Sequence, residues 1–162
     1  MKKIILMLML CAPMTMFAQK FGKVNTTTIF NSLPEVARVK GELDALRKQK
    51  ENEMKGMQDE LTRKGEEYEK SKSTMNATKQ KETEAELQTL YQKIQQAFQD
   101  AQKELSEKET ELTNPVLAKI RNAIDAVGKA GGYTYIFEEG AAVYTGETVK
   151  DVTAEVQAKI GK

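Results

Sequence analysis

The chain has 162 residues, 40% hydrophobic and 30% charged, with a formal net charge of +1 at neutral pH. It contains no His, no Trp and one Cys, at position 11, which excludes most hydrolase, redox and zinc chemistry because imidazole bases, paired thiols and His/Cys ligand sets are missing. The apolar residues are also unevenly spread: 14 of the 64 fall at Met1 and between Ile4 and Ala18, leaving the other 144 residues about 35% hydrophobic, thin for an independent globule.

At the N-terminus, Met1-Lys2-Lys3 is a positive region, Ile4 to Leu10 an apolar run and Met16-Phe17-Ala18 a small-residue boundary, the pattern of a secretory signal peptide removed near Ala18. As a membrane anchor the segment is short of the ~20 apolar residues a span needs and is broken by Pro13. A lipoprotein acylated at Cys11 would want a small residue where Leu10 stands. Removal after Ala18 leaves 23 basic and 24 acidic residues and no cysteine, so an exported chain must be stabilised by packing or assembly rather than by disulfides.

Phe21 to Asn25 is a strand candidate, followed by Thr26 to Phe30. Ser32 and Glu35 then have capping-box spacing and Pro34 suits a first helical turn, so a long helix is expected to start near Ser32. From Lys40 to Leu112, 31 of 73 residues are charged and only one, Ile94, is Val or Ile, a composition that favours helix over strand. Within it Tyr91, Phe98, Leu105 and Leu112 recur every seven residues with Leu87, Ile94 and Ala101 interleaved, which predicts an a/d seam. Met54, Met57, Leu61, Tyr68 and Met75 form a matching seam on the ascending side, offset by eleven residues from Leu43. The polar run Ser71 to Thr78 separates the two, and Thr83-Glu84-Ala85-Glu86 has capping-box form before Leu87, so two antiparallel helices about 60 Å long are expected. Gly41, Gly56 and Gly65 should make the ascending helix easy to bend.

Pro115 then predicts a kink, and the helix continues through Val116, Ile120, Ile124 and Val127 to Gly128. Tyr133 to Phe137 reads as a strand, Glu138-Glu139-Gly140 as a turn, Ala142-Val143-Tyr144 as a further strand and Asp151 to Ile160 as a last helix. The fold class predicted is mainly α with a small β part: residues 1–18 are the signal peptide, 40–112 a long coiled-coil hairpin arm with its tip near 71–82, and 19–39 with 113–162 a small β-containing oligomerisation body from which it projects. So few short strands with open edges are barely stable alone, and the strand residues Val24, Tyr133, Tyr135, Phe137 and Val143 are the candidate oligomerisation contacts.

No catalytic, cofactor-binding or metal-ligating residues are identified, and the chain does not read as an enzyme. Gly128-Lys129-Ala130-Gly131-Gly132 follows a helix and precedes a strand, the reverse of a phosphate loop, and is a helix cap. Glu66-Glu67 and Glu138-Glu139 read as solubilising charge. Between Lys70 and Lys81 there are four lysines (Lys70, Lys72, Lys79, Lys81) and no acid, a basic tip suited to acidic segments of a partner or to an anionic membrane surface. Nucleic acid is not an expected partner, since the lysines have no interleaved aromatics. Met54, Met57 and Met75, the only methionines after Ala18, are candidate contacts for varied partners because thioethers adapt, although methionine at this spacing also serves as plain seam filler.

The signal peptide, the strand Gly22-Lys23-Val24-Asn25, the run Ile29-Phe30-Asn31-Ser32-Leu33-Pro34-Glu35, the charged hairpin and the closing Gly131 to Phe137, Ala142 to Tyr144 and Asp151 to Thr153 segments together resemble the Skp/OmpH family of periplasmic chaperones over residues 20 to 160. The resemblance implies a homotrimer in which short strands build a shared body and three hairpins surround a cavity. It also implies a periplasmic location and unfolded outer-membrane β-barrel proteins as clients, held without ATP or any cofactor by many weak contacts. Members of that family tend to be strongly basic, whereas this chain is near neutral. A passive coiled-coil spacer or tethering protein of the cell envelope would need the arms but no client cavity.

Overall fold

The computed structural model describes residues 19–161; the signal-peptide reading up to Ala18, with Cys11, lies outside the described residues. In chain order the elements are β1 (Phe21–Val24), α1 (Thr26–Ser32), α2 (Pro34–Ser71), a 3-10 turn (Lys72–Thr74), α3 (Ala77–Gly131), β2 (Tyr135–Glu138), β3 (Lys150–Asp151) and α4 (Thr153–Ile160). The architecture is mainly helical with one small sheet, as the composition predicts. The chain divides into two compact units, one of the described residues up to Thr26 with those from Asn122 onward, the other Thr27–Arg121.

The Thr27–Arg121 unit contains an antiparallel helical hairpin. Helix α2 begins with Pro34, where the missing amide costs nothing, and its N-cap is Leu33, with extended backbone and no side-chain cap bond. The Ser32 hydroxyl instead donates to the Ile29 carbonyl at 2.7 Å, so Ser32 closes α1 and the expected start shifts to Pro34. At the tip, Asn76 Oδ1 accepts the Lys79 amide at 2.8 Å and opens α3 at Ala77, six residues before the expected capping box. Thr83 is therefore interior, its hydroxyl donating back to the Lys79 carbonyl at 3.0 Å. Gln80 closes the turn by donating to the Lys72 carbonyl at 2.9 Å and the Met75 carbonyl at 3.2 Å. Pro115 lies inside α3 rather than ending it, and the Glu111 carbonyl forgoes its usual donor there.

The seam of α3 differs in phase from the expectation. Leu87, Leu90, Ile94, Ala97, Ala101, Leu105 and Leu112 are buried or half-buried, whereas Tyr91 and Phe98 are 49% and 50% exposed. Both patterns share Leu87, Ile94, Ala101, Leu105 and Leu112; the difference is that Leu90 and the small Ala97, not Tyr91 and Phe98, face inward. On α2 the half-buried positions run Leu43, Leu46, Lys50, Met54, Met57 and Leu61 to the buried Tyr68. The eleven-residue offset is thus filled by a lysine. Lys50 Nζ lies 2.7 Å from Glu104 across the hairpin, and its side chain is only 19% exposed. Further cross-links are Glu35 with Lys119 at 2.6 Å, Lys64 with Glu86 at 3.8 Å, and Tyr68 Oη donating to Glu84 at 2.5 Å. From Glu35 to Lys50 the chain climbs α2 while Lys119 to Glu104 returns along α3 by the same count, and the order of the pairs is antiparallel throughout.

In the other unit β1 is the centre of a parallel three-stranded sheet in the order β2-β1-β3, with Phe21 opposite Tyr135, Val24 opposite Glu138 and Gly22 opposite Lys150. The end of α3 is a Schellman cap: Gly132 takes φ +64°, the Tyr133 amide bonds the Gly128 carbonyl at 3.0 Å and the Gly132 amide the Lys129 carbonyl at 3.4 Å. Tyr133 belongs to this cap and not to the strand, which starts two residues later. Ala142–Tyr144, expected as a strand, is irregular, with bends at Ala142 and Val143. Both edges of β1 are taken, by β2 and by β3, whose follower Val152 donates its amide to the Lys23 carbonyl at 2.9 Å, so the 142–144 run has no edge of β1 to join. Val24, Val152, Val156 and Ile160 are buried.

Candidate functional site

The ionisable groups point to a scaffold before they point to chemistry. The Glu139 carboxylate, 2.7 Å from Lys23 and accepting Asn25 Nδ2 at 2.8 Å, is held below the usual carboxylate range by the Lys23 hydrogen bond, and Lys23 is correspondingly raised. Glu138 accepts the Thr26 amide at 3.0 Å. The Glu138-Glu139 pair, read from sequence as solubilising charge, therefore fastens the strand ends. The hydrogen bond from Lys119 lowers Glu35, that to Glu104 raises Lys50, and the bond to Glu84 with burial pushes the Tyr68 phenol up to about 12. All of these shifts move the groups away from neutral pH, the opposite of what an acid or base catalyst needs. Among the described residues no cluster of three or more His, Cys, Asp or Glu could hold a metal ion, and no described helix is long and apolar enough to cross a membrane.

The basic residues gather at the hairpin turn. Lys70 lies in the last turn of α2, Lys72 in the 3-10 turn, and Lys79 and Lys81 in the first turns of α3. Lys70 sits 3.8 Å from Glu66 and Lys79 3.3 Å from Glu82, whereas Lys72 Nζ lies 5.1 Å above the Tyr68 ring and Lys81 has no ion-pair partner among the described residues. Such exposed pairs are weak and exchange readily with an incoming anion. The candidate methionines Met54, Met57 and Met75 are all half-buried. Met54 lines an open groove of about 700 Å³ with Ile94 and Phe98, so it reaches the surface while filling the seam.

The sheet presents a different surface. The rings of Phe21, Tyr135 and Phe137 stack with centroids 5.8–6.3 Å apart, and Tyr135 and Phe137 remain largely exposed. Val24 faces the other way and is buried. Tyr133 packs its ring so tightly on the chain that a Cβ at Gly131 would come within 2.4 Å of it, and the Lys20 ammonium lies 4.2 Å from its centroid. Val143 is fully exposed on a bend, next to the exposed Tyr144. Sequence reasoning left out Tyr144, Tyr91 and Phe98 as surface features, the last two because a seven-residue repeat placed them in the seam.

Comparison with known proteins places this arrangement. Residues 20–160 match the family model of outer membrane proteins described as OmpH-like. The chain is 28% identical over 153 residues to the chaperone protein Skp of Yersinia enterocolitica, covering 94% of this chain and 93% of that one. With the chaperone protein Skp of Escherichia coli (strain K12) identity is 26% over 144 residues, covering 88% and 87%. A crystal structure of a putative outer membrane chaperone (OmpH-like) from Caulobacter crescentus CB15 superposes with a TM-score of 0.75 at 19% identity, over 88% of this chain and 83% of that one, and so shares the fold.

Proposed function

The chain belongs to the OmpH-like family of outer membrane proteins, and from that premise we propose that it is an ATP-independent periplasmic holdase, which binds unfolded outer-membrane β-barrel proteins and prevents their aggregation. The observation that carries this reading is the match of the family over residues 20–160, which spans the hairpin and the sheet together and aligns the chain nearly end to end with proteins named as chaperones. The chemistry agrees with it. A holdase needs no catalytic residue and no nucleotide; it needs surfaces that make many weak contacts without themselves unfolding.

In this reading the signal peptide is removed near Ala18 and the mature chain works as a homotrimer. The exposed Tyr135 and Phe137, with Val143, are the side chains best placed to meet neighbouring copies, while the buried Val24 and the packed Tyr133 hold that surface in shape. Helical hairpins from several copies surround the client. Lys70, Lys72, Lys79 and Lys81 meet acidic stretches of the client or an anionic membrane surface, and Met54, Met57 and Met75 supply adaptable apolar contact where the seam opens.

The absence of tryptophan makes the test direct, because any tryptophan emission belongs to the client. Titrating residues 19–162 into a urea-diluted outer-membrane β-barrel protein without nucleotide should give a saturable shift in the client's emission. No shift with an unfolded client, from a chain shown to be folded and helical, would overturn the reading.

A further inference from the structure

On α3 the sequence between Leu87 and Gln102 stands apart from the rest of the hairpin: only Lys93 and Asp100 are charged in these 16 residues, against 29 charged residues in the other 57 of the 40–112 segment. Tyr91, Gln95, Phe98 and Gln102 follow one another at i, i+4, i+7 and i+11, so they share one helix face, and all four are exposed. Leu90 and Ala97 have taken the inward positions, so the two aromatics lie beside the seam rather than in it and keep about half of their surface free. The side-chain amides of Gln95 and Gln102 make no hydrogen bond to another group among the described residues, whereas that of Gln96, on a different face, is bonded to Asp100 at 2.9 Å. Phe98 also borders the open groove of about 700 Å³ that Met54 and Ile94 floor.

We infer that this alternating aromatic and glutamine stripe is the surface that grips uncharged, extended stretches of unfolded polypeptide, a deepening that rests on the holdase reading above. The chemistry fits that occupant. Each primary amide offers two donors and an acceptor at neutral charge, a match for the unpaired backbone N–H and C=O groups of an unfolded chain, whatever its side chains. The rings and the thioether of Met54 take up apolar side chains without demanding one shape. With only Lys93 and Asp100 charged on this stretch of α3, and Glu51 and Lys55 along the groove, an apolar segment meets few ions that it must desolvate. A folded partner or a second copy fits poorly. Tyr91 and Phe98 lie about 10 Å apart along the helix and, being half exposed, together offer about 150–250 Å², well below the ~800 Å² per partner of a stable interface between folded proteins. Such a stripe binds weakly alone and strongly only when hairpins from several copies engage one client.

The test is the double variant Tyr91→Gln with Phe98→Gln, which keeps helix propensity and removes only the rings, alongside Gln95→Glu with Gln102→Glu, which keeps the rings and adds charge. Affinity is read from the tryptophan emission of a urea-diluted outer-membrane β-barrel protein at low and high salt, with circular dichroism and sedimentation on each variant. The aromatic variant should keep its helicity and sedimentation and lose about tenfold in affinity, and the loss should persist at high salt. The charged variant should weaken binding at both salt concentrations, because the cost of desolvating the added carboxylates against an uncharged segment is not a repulsion that salt can screen. Wild-type affinity in both variants would overturn the inference while leaving the holdase reading intact. A changed oligomeric state in the aromatic variant would overturn it in favour of a contact between copies. A wild-type chain that binds no client would overturn the holdase reading itself, and this inference with it.

Discussion

Individual side chains decide where the hairpin is strong. Ile120 is almost fully buried, so Ile120→Ala should cost about 2–4 kcal/mol. Phe98→Ala, at a half-exposed ring outside the seam, should cost only about 1 kcal/mol. Paired thermal melts check both, and a large loss at Phe98 would contradict the observed phase of the seam. That phase was not legible in sequence for a definite reason. Leu87, Ile94, Ala101, Leu105 and Leu112 satisfy either pattern, and counting hydrophobicity favours Tyr91 and Phe98 over Leu90 and Ala97, while two close helices accept an alanine more readily than a ring. Tyr68 gives a pH signature. Its phenol is raised to about 12 by the hydrogen bond to Glu84 and by burial, from an ordinary 10.0, so its stabilising contribution is complete below pH 10 and lost as pH climbs through 12. Ultraviolet titration should show one of the five tyrosines ionising late, and Tyr68→Phe should abolish that late step.

At the scale of elements, helix ends were read from local chemistry and their errors have local causes. The Gly128–Gly132 cap was legible because the left-handed position after a helix selects glycine. The start of α3 was misread because Asn76, inside a run that looked like loop, caps the helix before Thr83 can. Strand β3 was missed because Lys150-Asp151 has no apolar signal; it is a strand only because β1 has a second edge to fill. Two glycine substitutions should act in opposite directions. Gly132→Ala places a Cβ on a residue at φ +64° and should cost about 1 kcal/mol or more. Gly56→Ala has open space around it in mid-helix and should add up to about 1 kcal/mol. Denaturant titrations of the two variants compare them, and a stabilised Gly132→Ala would contradict the cap.

For the whole molecule, charge is abundant but nearly balanced, and its placement matters more than its sum. With the first 18 residues removed the chain is close to neutral, yet four lysines sit together at the hairpin turn with at most weak surface pairs. Changing Lys70, Lys72, Lys79 and Lys81 together to Glu should slow client capture and remove its salt dependence while leaving the helical signal and melting temperature nearly unchanged. Stopped-flow association at two salt concentrations measures this, and an unaltered rate at low salt would make the cluster a plain solvated turn. The helical hairpin and its reversal were legible from composition and period. Which surfaces stay free to bind was not, because exposure depends on the phase between two helices rather than on either sequence alone. The central claim, that this chain keeps unfolded outer-membrane proteins from aggregating without a nucleotide, is tested most directly by light scattering after a urea-unfolded β-barrel client is diluted into buffer with residues 19–162 and no ATP. Suppression of scattering that saturates at about three chains per client is the expected result; full aggregation in an excess of folded, helical protein would contradict it and leave a passive envelope spacer as the better description.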